Sequence, residues 1–112
     1  MPVTESGLEI EIIEPGSGPY PSEGDTVVVH YTGMFADGRV FESSYEGEPI
    51  SFMLQRGEVI AGWDEGIMTL AQGSKARLTV PPELGYGEFG ADDVIPPHSI
   101  LIFDVELLAI NP

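Results

Sequence analysis

The chain has 112 residues, 42% of them hydrophobic, no cysteine, and nineteen acids against four bases, for a formal charge of −15. That length holds one domain with a real core, and the missing cysteines exclude disulfides and thiolate chemistry. The charge repels phosphate backbones and anionic lipid, so neither nucleic acid nor a membrane surface is an expected partner.

The start, Met1 to Ile13, mixes acids with apolar residues and has no base. It lacks the basic and apolar regions of a signal peptide, and no apolar run in the chain is long enough to span a bilayer. With zero cysteines, the cytoplasm is the expected compartment. Fourteen glycines and ten prolines cut the chain into short pieces, the pattern of a strand-rich domain with turns.

Leu8, Ile10 and Ile12 alternate with Glu9 and Glu11. Val27, Val29 and Tyr31 alternate with Val28, His30 and Thr32, and Ile50, Phe52 and Leu54 bracket Ser51 and Met53. A period of two puts one apolar row on one face of a sheet. From Glu58 to Ile67 the spacing changes: Val59, Ile60, Trp63 and Ile67 recur as on a helix. Glu58 at its start complements the helix dipole, and Gly66 is placed to end it in a left-handed cap. Ala76, Leu78 and Val80, then Leu101, Phe103, Val105 and Leu107, restore the strand period. Between them, Pro81 to Pro97 reads as a long loop, and long loops in compact domains are often functional. The expected architecture is α+β: a twisted antiparallel sheet of five or six strands curled over one short helix.

Most catalytic chemistries lack parts here. Gly85 to Gly90 spells G-x-G-x-x-G, but no strand runs directly into it and no helix can open on the residues after it, so it reads as a turn rather than a dinucleotide site. His30 and His98 stand alone, without the clustered ligands that zinc needs. Asp92 and Asp93 adjoin in an extended loop and read as solvated charge rather than a cation site. No serine sits in a nucleophile elbow. An enzyme built from this sequence works without metal, nucleophile or cofactor. Tyr86 is the odd aromatic, standing between two glycines of a loop, which hints at a ligand contact.

Four collinear blocks carry a family resemblance. They are Val27 to Met34 with Asp37 to Ser44, Phe52 to Gly66, Pro82 to Gly87, and Ile95 to Leu108. In order and spacing the chain resembles the FKBP family, peptidyl-prolyl cis/trans isomerases that bind macrolide immunosuppressants. The resemblance covers nearly the whole chain and implies a single isomerase domain over residues 1–112, with no inserted flap domain and no cofactor. It implies a monomer acting on proline-containing polypeptides and binding macrolides of the tacrolimus and rapamycin type. Position by position, it implies a pocket of Tyr31, Phe41, Glu42, Ile50, Val59, Ile60, Trp63, Tyr86, Ile95 and Phe103. Trp63 would form its floor, Phe41 and Phe103 its walls, and Tyr86 and Ile95 would sit on the loop over the mouth. The N–H of Ile60, in the first helical turn, and the hydroxyl of Tyr86 would donate to substrate carbonyls. Read without the family, Tyr31, Trp63 and Phe103 serve equally well as core aromatics.

Two positions depart from the family pattern. Glu42 stands where the family has Asp, whose carboxylate accepts a hydrogen bond from the tyrosine at position 31, and Ile50 stands where an aromatic is common. The added methylene moves the carboxylate by roughly a bond length, which matters in a preorganised site. The alternative to an isomerase is a weakly active module that binds proline segments or macrolides.

Overall fold

The computed structural model describes residue 4, residues 6–91 and residues 94–112. Six strands form one antiparallel sheet: β1 (Glu9–Glu14), β2 (Thr26–Phe35), β3 (Val40–Ser43), β4 (Ile50–Met53), β5 (Lys75–Val80) and β6 (Leu101–Ile110). The order across the sheet is β1-β5-β6-β2-β3, and β4 also pairs with β2. The last two strands share one edge: β4 pairs with residues 26–29 of β2, and β3 with residues 32–34. The expected alternation therefore builds a sheet, with β3 added from a stretch that shows no apolar period.

The inward row is continuous across the strands. Val27, Val29, Tyr31, Ala76, Leu78, Val80, Leu101, Phe103, Val105 and Leu107 are all buried. The helix α1 (Ala61–Ile67) lies against this face and contributes Trp63 and Ile67 to the same core. The predicted row in β1 holds for Leu8 and Ile10 and fails at Ile12, which is 46% exposed. The pairing of β1 with β5 shifts register between Ile12 and Glu14, and a bulge there re-aims side chains.

Three helix expectations need correction. The helix begins at Ala61, with Ile60 as its N-cap, not at Glu58. Glu58 precedes it and accepts the Met53 N–H at 3.1 Å, while the acid in the first turn is Asp64. Gly66 is not a left-handed cap but lies buried inside the helix, whose C-cap, Met68, is right-handed. Close packing is the reason for that glycine. A β-carbon on Gly66 would stand 3.0 and 3.1 Å from the Leu78 methyls and 3.3 Å from Leu8, so its absence lets the helix sit down on the sheet.

The segment from Pro81 to Pro97 has more structure than a loop. It contains a 3₁₀ turn at Pro82–Leu84 and an isolated bridge between Ala91 and Ile95. Asp92 and Asp93 lie outside the described residues.

Candidate functional site

The concave side of the sheet holds a cluster of rings. Trp63 meets Tyr31 edge-on at 4.8 Å between centroids and Phe103 edge-on at 5.3 Å, with Phe52 tilted at 5.8 Å. Phe41 stands edge-on to Phe103 at 5.9 Å and is backed by Phe35 at 5.0 Å. Edge-to-face contact suits the ring quadrupoles and fixes each ring by its neighbours. Gly33 of β2 makes room for this wall: a β-carbon there would come within 2.8 Å of Phe41 and 3.0 Å of Phe103.

Above these rings opens a hollow of about 150 Å³. It is lined by eight of the ten expected residues, Tyr31, Glu42, Ile50, Val59, Ile60, Trp63, Tyr86 and Phe103. Phe41 and Ile95 do not line it. Phe41 buttresses Phe103 from behind, and Ile95, 4% exposed, belongs to the core beneath the loop. The hollow has one lining residue that sequence reasoning did not place there, Glu58. Its position just before a helical period suggested a dipole partner and gave no sign of the pocket.

Distinct elements hold the lining in place. The β2 backbone at Tyr31 is fixed by Ser44, whose Oγ accepts the Tyr31 N–H at 2.7 Å and whose own N–H donates to the Tyr31 carbonyl at 2.9 Å. The segment from β4 to α1 is pinned by Asp64, which accepts the N–H of Gln55 at 3.0 Å while the Gln55 amide donates to the Asp64 carbonyl at 2.6 Å. Gln55 has φ of 63°. Side-chain help at such a bend gives residues 58–60 a defined course into the hollow. Asp64 carried no signal in the sequence, because an acid in a first helical turn is ordinary. Tyr86 is held through its backbone: its carbonyl accepts the Gly90 N–H at 3.1 Å, and the next residue, Gly87, bonds Pro82 and His98.

The polar groups at the hollow are few and distinctive. Ile60, as N-cap, carries one of the N–H groups that a helix leaves without an internal partner. Among the described residues it donates to no protein acceptor. The buried Trp63 Nε1–H likewise has none. Burial, and then the adjacent Glu42 carboxylate, hold the Tyr31 phenol well above its usual range. Burial first, then the charge of Glu42, also push up Tyr86. Glu42 is close enough to act on both, as a hydrogen-bond acceptor beside the Tyr31 phenol and through its charge at Tyr86. Both phenols are thus neutral donors at physiological pH. The arrangement offers an aromatic floor, apolar sides, N–H and O–H donors at the rim, and two carboxylates, Glu42 and Glu58.

Comparison with known proteins agrees with this architecture. A family model described as FKBP-type peptidyl-prolyl cis-trans isomerase matches residues 18–108. The FKBP-type peptidyl-prolyl cis-trans isomerase FkpA of Escherichia coli is 47% identical over 110 residues, covering 97% of this chain and 40% of that protein. The crystal structure of FkpA superposes with a TM-score of 0.92 at 46% identity, covering 99% of this chain and 51% of the other. A peptidyl-prolyl cis-trans isomerase of Schizosaccharomyces pombe is 46% identical over 107 residues, 94% of this chain and 96% of that protein. The chain spans less than half the length of the first bacterial relatives it matches.

Proposed function

This chain belongs to the FKBP-type peptidyl-prolyl cis-trans isomerase family, and from that premise we propose that it accelerates rotation about X-Pro bonds in polypeptides, using the hollow above Trp63 as its active site. An X-Pro bond has a small cis/trans gap but interconverts over tens to hundreds of seconds. The barrier, about 20 kcal/mol, is the amide resonance lost on twisting. No covalent bond changes, so a catalyst need only bind the twisted amide better than either planar form.

The lining residues have roles in that scheme. Trp63, Phe103 and Tyr31 give the proline ring an apolar seat. Planar amides carry more charge separation than twisted ones, so removal from water costs them more. The free N–H of Ile60 and the neutral hydroxyl of Tyr86 donate to carbonyls on the bound segment and hold it in a turn. Glu42, Ile50 and Val59 shape the sides. Phe41 and Ile95 act from behind, by holding Phe103 and the loop. The observation that supports the reading most directly is the open aromatic hollow with an unbonded N-cap N–H at its edge.

A second reading has its own observation. Glu42 and Ile50, the two departures from the family pattern, both line the hollow, so its rim differs where a guest would be held. On that reading the chain is a module that binds proline segments, or macrolides of the tacrolimus and rapamycin type, with little turnover. A protease-free isomerisation assay on a Leu-Pro peptide separates the two. Acceleration at catalytic protein concentration supports the enzyme. Binding without acceleration, from folded protein, supports the module.

A further inference from the structure

The hollow above Trp63, at about 150 Å³, is smaller than the roughly 300–1,000 Å³ that ordinarily encloses a ligand. It seats one ring and leaves the rest of a polypeptide guest outside. A second depression, of about 290 Å³, lies at the other end of the aromatic wall. Phe103 lines the hollow, Phe41 stands 5.9 Å from Phe103, and Phe35, 5.0 Å from Phe41, lines the depression. Phe35 and Phe103 are therefore no more than about 11 Å apart, a gap that three or four extended residues span. Phe35 and Ala36, from the β2–β3 hairpin, face Pro96 and Ile100, from the segment that leads into β6. Both sides are pinned. The Phe35 N–H donates to the Arg39 carbonyl at 2.9 Å, and Phe35 pairs with Leu101, the residue after Ile100. Ser99 Oγ donates to the Pro96 carbonyl at 2.7 Å. The depression is thus formed before any guest arrives, and filling it orders little. The two charged groups of its lining, Asp37 and Arg39, close on each other at 2.7 Å, and the Arg39 guanidinium lies 5.0 Å over the Phe35 ring. In a chain with a charge of −15 this patch is locally neutral, and Ile100 leaves 47% of its surface in water there.

We propose that this depression is a second subsite, which takes an apolar side chain, leucine or larger, three or four residues from the proline on one side of it. The occupant is the same polypeptide whose proline sits in the hollow, because the series of rings joins the two openings without a break. The inference rests on the isomerase reading of the hollow and adds a substrate class to it. A side chain held in the depression touches nothing that twists. It binds the planar and the twisted amide alike, so it lowers KM and leaves kcat where it is. Partial burial of a leucine in place of an alanine corresponds to about five-fold in KM.

The test measures kcat and KM for peptides built on a Leu-Pro centre with small polar residues elsewhere. Leucine or alanine is placed at the third and fourth residues before the proline, or at the third and fourth after it. Leucine on one side should lower KM about five-fold against alanine, with kcat equal, and leucine on the other side should do nothing. Ile100→Ser and Ala36→Asp should each erase the advantage while turnover of the alanine peptide stays as it was. Ile13→Ser, at a comparably exposed isoleucine on β1 at the far edge of the sheet from β3, should leave it intact. Equal KM values across the series overturn the proposal. So does an advantage that lies in kcat, appears alike on both sides of the proline, or survives both lining substitutions. An advantage that Ile13→Ser erodes as much also overturns it, because general surface hydrophobicity would then explain the effect. If no peptide is turned over, the isomerase reading fails on its own account. Fluorescence titration of Trp63, the one tryptophan of the chain, with the same peptides then decides the subsite: tighter binding of one leucine peptide, lost in Ile100→Ser, supports it, and equal affinities overturn it.

Discussion

Gly33→Ala tests whether the aromatic wall is as rigid as its geometry implies. The new methyl would sit 2.8 Å from Phe41 Cζ and 3.0 Å from Phe103 Cε1, both inside normal contact. Phe103 is 3% exposed and hemmed in by Trp63, Tyr31 and Phe41, so it has nowhere to go. Phe41, only partly buried, is the ring that must move. Overpacking costs about 1–3 kcal/mol. Removing a glycine from a strand returns about 0.5–1 kcal/mol, because the unfolded chain loses freedom. Gly33 does not have positive φ, so no backbone strain is added. The net expectation is a loss of about 0.5–2 kcal/mol, or about 3–10 °C in Tm for a domain of this size. Turnover of a Leu-Pro peptide should fall as well, because a shifted Phe41 no longer buttresses Phe103 at the hollow. The decisive measurement is a double-mutant cycle by urea unfolding with Phe41→Leu, which clears the space the methyl needs. The pair should be more stable than the sum of the single changes, with a coupling of about 0.5–2 kcal/mol. An unchanged or raised Tm for Gly33→Ala, or strict additivity in the cycle, would show that the wall yields freely and that its ring contacts do not constrain the site.

Other residues give sharper or simpler tests. Tyr86→Phe removes a rim donor while keeping the ring, and should lower kcat/KM by about ten-fold, the worth of one hydrogen bond, with Tm nearly unchanged. Glu42→Asp should alter the affinity for a tacrolimus-type macrolide by titration calorimetry while leaving the far-ultraviolet circular dichroism as it is, and identical affinities would contradict the role given to the added methylene. Asp64→Ala leaves the Gln55 N–H unpartnered and should destabilise the chain by about 1–3 kcal/mol, whereas Asp64→Asn keeps an acceptor and should cost less in the same urea titration. Tyr45 donates to Glu106 at 3.0 Å, and burial with that contact pushes its phenol from 10 up to about 12. A raised pKa means that the folded state holds the proton longer, so this stabilisation is complete below pH 10 and is lost as pH climbs toward about 12. Tyr45→Phe should therefore flatten part of the alkaline fall in stability, and an unaltered fall would assign it to other groups.

The strands were legible because their period is strict and one face is buried: Val27, Val29 and Tyr31, or Leu101 through Leu107, leave no other way to fold. β3 was not legible as a strand, since Val40 is 59% exposed and Phe41 only partly buried, so no apolar row marks it. Helix boundaries failed for a local reason. Val59 and Ile60 keep helical spacing, but they are apolar because they line the hollow and flank the core. Gly66 shows the limit of reading glycines as punctuation, because close approach and left-handed turns call for the same residue. Of the site, the rings and rim were expected from family blocks rather than from periodicity. Glu58 and Asp64 escaped because only the fold reveals what an acid faces.

Trp63, Phe103 and Tyr31 belong at once to the buried cluster and to the lining of the hollow. One set of atoms therefore answers to two demands, and neither can be adjusted alone. A substitution that enlarges the seat for a new guest also removes filling from the interior, so altered ligand preference should come with a lower melting point. The reverse linkage helps: a guest held at a hundred times its Kd adds about 2.7 kcal/mol to the folded state. In a chain whose carboxylates outnumber its bases so heavily, an occupant can act as a removable part of the core, and thermal stability becomes a direct gauge of occupancy.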